Sequence, residues 1–276
     1  MLGHILFAFH HKTSLQHDPP KVNIMILPSL SNPKQNRLLA TLPDSDYGRL
    51  LPDLERITMP LGWSVFDVAA PVGYVYFPGT SVVSMLHKMD NDSDSDEASE
   101  ITFADRDGMV GISHFMEGEN SLREGVVHIA GEGYRIRADT LKSEFALGWG
   151  FQQLALRYAK SMRAQLAQTA ECGRQHLAEQ QLSRWLLLYS DSCANSQLLM
   201  TPTLIANMLR REGVAQAVET LETAGVIHYA RGHITILDRS KLQERGCYCY
   251  GAVKSEFAFL LNRIELSEVS MRSNQS

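Results

Sequence analysis

The chain has 276 residues and a mass of 30.9 kDa, with 44% hydrophobic and 21% charged residues. This composition is that of a globular protein with an apolar core and a length that favours two domains over one, and it excludes intrinsic disorder, collagen-like repeats and small disulfide scaffolds. Because 26 Lys and Arg residues against 31 Asp and Glu residues give a net charge of -5, any binding to nucleic acid has to depend on a local surface.

Three features of the sequence concern its compartment. The apolar segment Ile5–Phe9 is far shorter than the roughly 20 residues of a membrane helix, and no basic residue precedes it as in a signal peptide. The four cysteines are too scattered for a disulfide framework; they are Cys172, Cys193, Cys247 and Cys249. We therefore expect a cytoplasmic protein that does not contact a membrane.

The N-terminal half of the chain predicts an extension followed by a β domain. Residues 1–30 lack sustained periodicity and predict a poorly ordered extension. Two short helical segments begin near Arg37 and Tyr47, and β-rich segments then alternate with turn residues at the spacing of an all-β domain, to about residue 140. The predicted strands are Ser64–Phe66, Gly73–Pro78, Ser81–Leu86, Ser99–Phe103, Gly125–Ile129 and Tyr134–Arg137.

An acidic segment, Asp90–Glu100, interrupts the β domain and predicts a solvated hairpin loop. Its alternating aspartates resemble a calcium loop. However, Ser95 and Ile101 occupy the positions of the turn glycine and of the bidentate glutamate. The pattern therefore favours a solvated loop over a calcium site.

A long helix is predicted next, because the residues between Phe145 and Ser190 include no proline and many strong helix formers. Apolar or small residues recur every three or four positions along it, at Leu154, Tyr158, Met162, Leu166, Ala170, Gly173 and Leu177. A lone helix cannot bury such a stripe, so we expect a second copy of the chain as its partner, with the first four residues as dimer contacts. The alternative is that the stripe lies on the β domain.

The region after the polar break at Ser192–Ser196 has the order helix, helix, hairpin. Thr201 and Pro202 predict an N-cap and a first helical turn. A second helix is predicted from about Glu212 to Thr223, and two strands turn at Arg231–Gly232. The predicted inward residues are Leu204, Ile205, Met208 and Leu209 in the first helix and Val214, Ala217, Val218 and Leu221 in the second. This order is typical of a winged helix-turn-helix.

Five segments carry a family resemblance: Tyr74–Pro78, Asp107–Ile112, Gln181–Leu188, Leu204–Leu209 and Arg231–Asp238. Their order and spacing resemble the cyclic-AMP-receptor and fumarate–nitrate-regulator (Crp/Fnr) superfamily of bacterial transcription regulators. The resemblance implies an α+β fold. Its parts would be a β-roll similar to cyclic-nucleotide-binding domains (31–147), a dimerisation helix (148–176), a Crp-type winged helix-turn-helix (177–263) and a tail (264–276).

The β-roll departs from the nucleotide-binding members of that family. Gly111 stands where their ribose-binding glutamate is expected, and Arg123, at the phosphate-binding position, is followed by Glu124, whose charge repels a phosphate. Cyclic AMP is therefore not the expected ligand, and Gly111 and Arg123 are candidate positions for another effector; for Arg123 the favoured interpretation is a solvated loop residue. No cysteine precedes Cys172, so the iron–sulfur arrangement of the oxygen-sensing branch is absent.

Contacts to DNA are predicted around the second helix and the hairpin. The N-terminal residues of this helix enter the major groove, where arginine reads guanine, glutamine adenine and glutamate cytosine. The predicted DNA-binding residues are Thr201, Arg210, Arg211, Glu212, Gln216, Arg231 and His233. Thr201 would hold a phosphate, and the last two would form a wing along the backbone. The alternative for these residues is a solvated charged face.

The turn between the two helices is two residues shorter than the family pattern. Met208–Leu209 is followed directly by Arg210–Arg211, without the usual glycine and aliphatic residue. Only this shorter turn places Val214, Ala217 and Val218 inward. The alternative interpretation is therefore a regulator-derived dimer with impaired DNA binding that acts through protein contacts.

The sequence predicts no catalytic residue, metal site or cofactor. The histidines are too widely spaced for the facial His-x-His cluster of a metal-dependent oxygenase; they are His87, His114 and His128. Cys247 and Cys249 form no CxxC pair, so we expect them to be structural. Cys172 is interpreted as a packing residue, with a redox switch as the alternative.

Together these features predict a homodimeric transcription regulator of the bacterial Crp/Fnr type that senses an unidentified effector. Its expected partners are double-stranded operator DNA, a second copy of the chain and RNA polymerase. A hinge near Gly173–Leu177 would transmit the signal to the recognition helices, provided that the effector prefers one arrangement.

Overall fold

The computed structural model describes residues 32–66, 73–88, 98–112, 116, 123–148, 150–192, 197–209 and 213–262. The predicted N-terminal extension, most of the acidic segment and the predicted tail lie outside these residues. The fold combines helices and sheets, as predicted. Among the described helices, none is both long and apolar enough to cross a membrane.

Two short helices precede the β domain, α1 (Arg37–Ala40) and α2 (Asp44–Leu50). Both were predicted from the apolar spacing of their sequences. The fully buried Asn36 side chain caps α1 through its Oδ1 atom. Its Nδ2 atom donates hydrogen bonds to Pro78 O and Gly108 O, each at 2.9 Å. This one side chain therefore fixes α1 against the β domain.

The β domain consists of two antiparallel sheets. The first has the order β1 (Glu55–Met59), β7 (Gly131–Arg137), β3 (Tyr74–Pro78), and the second has the order β2 (Ser64–Phe66), β6 (Arg123–Ile129), β4 (Val82–Lys88), β5 (Ala98–Ala104). All six predicted strands are present, and sequence reasoning missed β1. Apolar side chains of both sheets form one core, in which the Trp63 and Tyr76 rings meet edge to face at 5.7 Å.

Three helices follow the β domain, α3 (Ala138–Ala146), α4 (Gly150–Gln175) and α5 (Ala178–Ser192). The predicted long helix is therefore interrupted once after α3 and again at 176–177, between α4 and α5. Nine consecutive residues of α5, Gln181–Tyr189, are buried, so this helix lies in the interior on all sides.

The C-terminal module contains the predicted helix, helix and hairpin. Its elements are β8 (Gln197–Leu199), α6 (Pro202–Met208), α7 (Val214–Thr223), β9 (Ile227–Ala230), β10 (His233–Ile236), α8 (Arg239–Arg245) and α9 (Cys249–Asn262). The strands have the order β8-β10-β9. Their core includes Trp185 of α5 and also Val82 of the β domain, so the two modules share apolar contacts.

The stripe that was predicted to contact a second chain is largely buried within one chain. Leu154 and Tyr158 are each 1% exposed and Met162 is 8% exposed, in a core that also includes Leu260 of α9. Leu166 is half-buried. For the first three residues the structure agrees with the alternative, a stripe packed within the chain, because the β domain and α9 already cover it. The dimer remains a prediction.

Candidate nucleic-acid interface

The first helix of the predicted pair, α6, begins with the capping pattern expected from its sequence. Thr201 has an extended backbone, and its Oγ1 atom accepts a hydrogen bond from the Leu204 N–H at 3.3 Å. Ile205, Met208 and the following Leu209 are buried, and Leu204 is partly buried. The predicted inward face of α6 is therefore confirmed, while Thr201 itself is exposed.

Residues 209–213 connect α6 to α7. Gly213 has φ +98°, in the left-handed region that favours glycine, and immediately precedes Val214, the first residue of α7. The helix thus begins two residues later than the predicted start near Glu212. Three predicted DNA-binding residues precede α7 and lie outside the described residues: Arg210, Arg211 and Glu212.

The second helix, α7, has distinct buried and exposed faces. The buried residues are Ala217, Val218 and Leu221, as the shorter turn predicted. Gln216 is exposed in the first turn, and its backbone O accepts a hydrogen bond from the Thr220 hydroxyl at 2.7 Å. Ala215 and Glu219 are also exposed. Sequence reasoning missed these two, although Glu219 follows Ala215 by four positions and Gln216 by three and is therefore a neighbour of both on the helix surface.

The hairpin of β9 and β10 lies next to the start of α6. Its turn residues, Arg231 with φ +51° and Gly232 with φ +77°, both have positive φ, as in a type I′ turn. His233 Nδ1 donates a hydrogen bond to Arg231 O at 3.1 Å, and the Met200 N–H donates one to Gly232 O at 2.8 Å. The structure therefore brings the exposed Thr201 and Arg231 together at one side of the module.

The helix α7 contributes no positive charge to the candidate DNA-binding surface. The ten residues of this helix include Glu219 and Glu222 and neither lysine nor arginine. Glu222 is engaged within the module, because its carboxylate accepts a hydrogen bond from the Tyr229 N–H at 2.7 Å and lies 3.4 Å from His228 Nδ1. Among the described residues of this surface, Arg231 carries positive charge; Arg210 and Arg211 precede α7 in the sequence.

Comparisons with known proteins agree with this geometry. Residues 180–245 match the family described as the Crp-like helix-turn-helix domain. The structure is similar to that of FixK2 from Bradyrhizobium japonicum, with a TM-score of 0.59 and 14% identity over 70% of this chain and 98% of the other. The chain has the Crp/Fnr fold.

Two further structures with this fold extend the comparison. A protein from Eubacterium rectale, described as a transcriptional regulator of the Crp/Fnr family, has a TM-score of 0.58 and 15% identity over 75% of this chain and 96% of its own. A Crp-family transcriptional regulator from Thermus thermophilus has a TM-score of 0.54 and 15% identity over 69% of this chain and 95% of its own. No curated protein sequence matches the chain. The family resemblance drawn from the sequence is confirmed.

The two predicted effector positions lie at opposite ends of a gap in the described residues. Gly111 is buried, has φ +97°, and follows Val110, whose backbone pairs with Tyr76. Arg123 begins β6, opposite His87 of β4; its side chain and most of 113–122 lie outside the described residues. Both positions therefore remain predictions.

A cavity of about 250 Å³ lies where the β domain meets α4, α5 and α9. Its wall carries both signs of charge: Arg37 Nε lies 3.1 Å from Asp107 Oδ1, and Lys254 Nζ lies 2.6 Å from Asp191 Oδ2. Burial, together with the neighbouring Asp105 carboxylate, raises the pKa of Asp107 to about 6. The cavity can accommodate a small polar molecule between the two modules.

A buried polar group joins the β domain to the C-terminal module; we call it the histidine contact. His128 of β6 is 4% exposed. Its Nδ1 atom lies 2.9 Å from Ser84 Oγ and 3.0 Å from Tyr189 Oη of α5, and its Nε2 atom donates a hydrogen bond to Leu199 O of β8 at 3.3 Å. Burial lowers the pKa of His128 to about 4, against the opposing effect of the Leu199 hydrogen bond. The imidazole is therefore neutral at pH 7.

The structure also brings together four residues that sequence reasoning treated separately; we call them the cysteine cluster. Cys172 lies in the last turn of α4 and His176 follows that helix directly, while Cys247 lies two residues before Cys249, the first residue of α9. Their sulfur and imidazole nitrogen atoms all lie within 4.8 Å of one another. One sequence signal was available, because the spacing of Cys172 and His176 places both on one helix face.

Proposed function

We propose that the protein is a homodimeric DNA-binding transcription regulator of the Crp/Fnr type that acts in the cytoplasm and has no catalytic activity of its own. The observation that carries this proposal is the winged helix-turn-helix, in which α7 has one face buried in the module and the opposite face exposed. The division into a β-roll (31–147), a dimerisation helix (148–176) and a DNA-binding domain (177–263) is part of the same proposal.

In this proposal the exposed face of α7 enters the major groove of the operator. Gln216 forms paired hydrogen bonds with an adenine, and the residues at the leading end of the helix add contacts to bases and phosphates: Arg210, Arg211 and Glu212. Arg231 and His233 follow the backbone of the adjacent groove as the wing, with Thr201 beside them. The base contacts then specify the sequence, whereas Arg231 contributes charge alone.

Binding of the purified chain to its own promoter region, with random DNA as competitor and over a series of salt concentrations, tests this assignment. We expect Gln216→Ala to weaken specific binding by about 1–3 kcal/mol, the usual contribution of a paired base contact. Gln243→Ala is the matched control, because Gln243 is an exposed helical glutamine on α8, away from the proposed interface.

The wing gives a second, independent readout in the same assay. Because Arg231 is proposed to contact phosphate only, Arg231→Ala should weaken binding to operator and random DNA alike. It should also reduce the slope of log affinity against log salt concentration by about one. Equal affinity of the unmodified chain for both DNAs would contradict the regulator assignment.

Dimerisation in this proposal uses the outward face of α4 and α9. Leu156 of α4 is 45% exposed and Phe259 of α9 is 51% exposed, and Lys160 Nζ lies 5.8 Å from the Phe259 ring centre. Light scattering tests the contact: Leu156→Glu should produce monomers, whereas Leu147→Glu, at a residue that is 53% exposed beyond α3, should not. If the unmodified chain is monomeric at micromolar concentration, the proposed dimer is wrong.

Signal sensing is the remaining part of the proposal. The β-roll, with Gly111 and Arg123, and the cavity beside Asp107 offer sites for the unidentified effector, and RNA polymerase is the expected partner on DNA. An effector shifts the arrangement of the two modules only if it binds one arrangement more tightly. If no candidate effector changes the footprint on the operator, the proposed effector-dependent switch is wrong.

The second candidate function is a regulator-derived dimer that acts through protein contacts. It is favoured by the two glutamates of α7, Glu219 and Glu222, in a helix without lysine or arginine, and by the short connection at 209–213. Insertion of Gly-Ile between Leu209 and Arg210 would then create operator binding that the natural chain lacks. Tight operator binding by the natural chain rules this candidate out.

A further inference from the structure

The cysteine cluster joins two segments that are more than seventy residues apart in the sequence. Cys172 Sγ lies 3.6 Å from Cys247 Sγ, and Cys249 Sγ lies 3.6 Å from His176 Nδ1. The three thiols are 1%, 8% and 0% exposed in chain order, and the imidazole is partly buried. Four potential ligand atoms therefore converge on one small, largely enclosed volume.

The spacing of these atoms fits one metal ion. A Zn–S bond of about 2.3 Å implies S···S separations of about 3.8 Å around a tetrahedron, close to the 3.6 Å between Cys172 and Cys247. An iron–sulfur cluster holds its cysteines further apart, because inorganic sulfides lie between the irons. Three thiols and one imidazole form a Cys₃His set, which selects Zn²⁺ among the common divalent ions.

Neighbouring side chains orient the ligands as the outer shell of a metal site does. Gln168 Nε2 donates a hydrogen bond to Cys249 Sγ at 3.0 Å. The Gln181 amide donates one to His176 O at 2.7 Å. The His176 ring meets the Tyr248 ring edge to face at 5.3 Å. These contacts fix both the sulfur and the imidazole before any ion binds.

The charge around the cluster also suits a metal thiolate. The guanidinium of Arg184, which is 1% exposed, donates a hydrogen bond to the Thr169 hydroxyl at 2.9 Å, one helical turn before Cys172 on α4. Zn²⁺ with three thiolates and a neutral imidazole has a net charge of -1, which the buried Arg184 complements.

We propose that the cysteine cluster binds a single Zn²⁺ ion in a closed, tetrahedral site, through its three Sγ atoms and His176 Nδ1. All four positions are taken by protein ligands, so the site is structural and leaves no position for a substrate. The ion connects the end of α4 to the start of α9, and thereby fixes the C-terminal module next to the hinge at 176–177. Binding releases the thiol protons to solvent and involves no change of oxidation state.

Zinc content of the full-length chain, purified without chelator or metal-affinity chromatography and measured by mass spectrometry of the elements, tests the proposal. We expect one zinc ion per chain, retained during dialysis. Cys249→Ser and His176→Ala should reduce the content to background. Cys193→Ser is the matched control, because Cys193 is the fourth cysteine of the sequence and is not one of the proposed ligands, and this variant should keep its zinc.

A variant that misfolds also loses zinc, so the unmodified chain is tested separately with Co²⁺. After exchange, we expect the intense visible absorption of tetrahedral Co²⁺ and a thiolate-to-metal charge-transfer band, both abolished by competing Zn²⁺. The proposal is overturned by a weak octahedral Co²⁺ spectrum, by a zinc-free chain, or by a Cys172–Cys247 disulfide in the protein as isolated. Equal zinc loss in Cys193→Ser also overturns it. None of these measurements depends on DNA binding.

Discussion

The histidine contact and the cysteine cluster both attach the C-terminal module to the rest of the chain, and they do so by different chemistry. At the histidine contact, a neutral imidazole is surrounded by the Ser84 and Tyr189 hydroxyls and by the stacked Phe103 ring, 4.9 Å from the Tyr189 ring. At the cysteine cluster, the ligand atoms of three thiols and His176 lie within 4.8 Å of one another. The first contact is complete as folded, whereas the second gains its full stability from an ion.

This difference determines which condition weakens each contact. Burial keeps His128 neutral, so the histidine contact is sensitive to acid and indifferent to metal. The proposed zinc site responds to metal supply and to chelators, because metal binding to the native state shifts the folding equilibrium. The two attachments can therefore be loosened one at a time, and the following experiments do so in order of expected effect.

Removal of zinc is expected to have the largest effect. If free zinc is 1,000-fold above its dissociation constant, binding adds about 4 kcal/mol to the free energy of unfolding, which a strong chelator removes. Urea unfolding with and without chelator measures the difference. Cys193→Ser should respond as the unmodified chain does and Cys249→Ser should not respond; an equal response of Cys249→Ser would show that the chelator acts elsewhere.

Acid is expected to act through His128. Its pKa is about 4 in the folded chain and 6.5 when exposed, so the unfolded chain takes up the proton first as the pH falls. The free energy of unfolding is unaffected by the titration of His128 above pH 6.5. It falls between pH 6.5 and pH 4, by about 3 kcal/mol in total. Unfolding free energies measured across this range should fall more steeply in the unmodified chain than in His128→Gln.

The difference between those two chains is the informative quantity, because another group titrates in the opposite direction. The pKa of Asp107 is raised to about 6, so its carboxyl favours the folded state as the pH falls from 6 towards 4. Both chains contain Asp107, and its contribution cancels in the comparison. Parallel pH profiles would mean that His128 stays neutral in the unfolded state or is solvated in the folded one.

Removal of one hydroxyl at the histidine contact is expected to have a smaller effect. Tyr189→Phe deletes the Oη atom that lies 3.0 Å from His128 Nδ1 and 2.9 Å from Ser84 Oγ, at an expected loss of about 1 kcal/mol. Thermal unfolding of the variant checks this value. Tyr248→Phe is the matched control at the cysteine cluster, because this tyrosine is 63% exposed and its hydroxyl should contribute less than about 0.5 kcal/mol.

Local patterns were sufficient to predict the winged helix-turn-helix. Thr201 caps α6 and Gly232 accommodates a positive φ for reasons contained in a few neighbouring residues. The inward residues of α7 follow helical periodicity. Because only a turn two residues shorter than the family pattern places Ala217 and Val218 inward, the shorter turn could be recognised from these two residues. The strand β1 was missed because its outer residues are exposed and only Met59 is fully buried.

Contacts between distant segments could not be predicted in the same way. The stripe on α4 correctly indicated a buried helix face. However, the residues that pack against this face include Leu260, about one hundred residues further along the chain, and no local pattern reveals such a contact. The cysteine cluster combines two half-motifs, Cys172-x₃-His176 and Cys247-x-Cys249, neither of which is specific alone. Only the packing of α9 along α4 shows that they belong to one site.

The packing of Leu260 into the first core has a consequence for synthesis of the protein on the ribosome. Leu260 is 1% exposed among residues such as Leu38 and Leu154, so the interior of the N-terminal module cannot be completed until the ribosome has synthesised the chain through Leu260. N-terminal domains usually fold first during translation. Here α9 completes the core of the first domain, and until then the nascent chain exposes apolar surface that chaperones would have to protect.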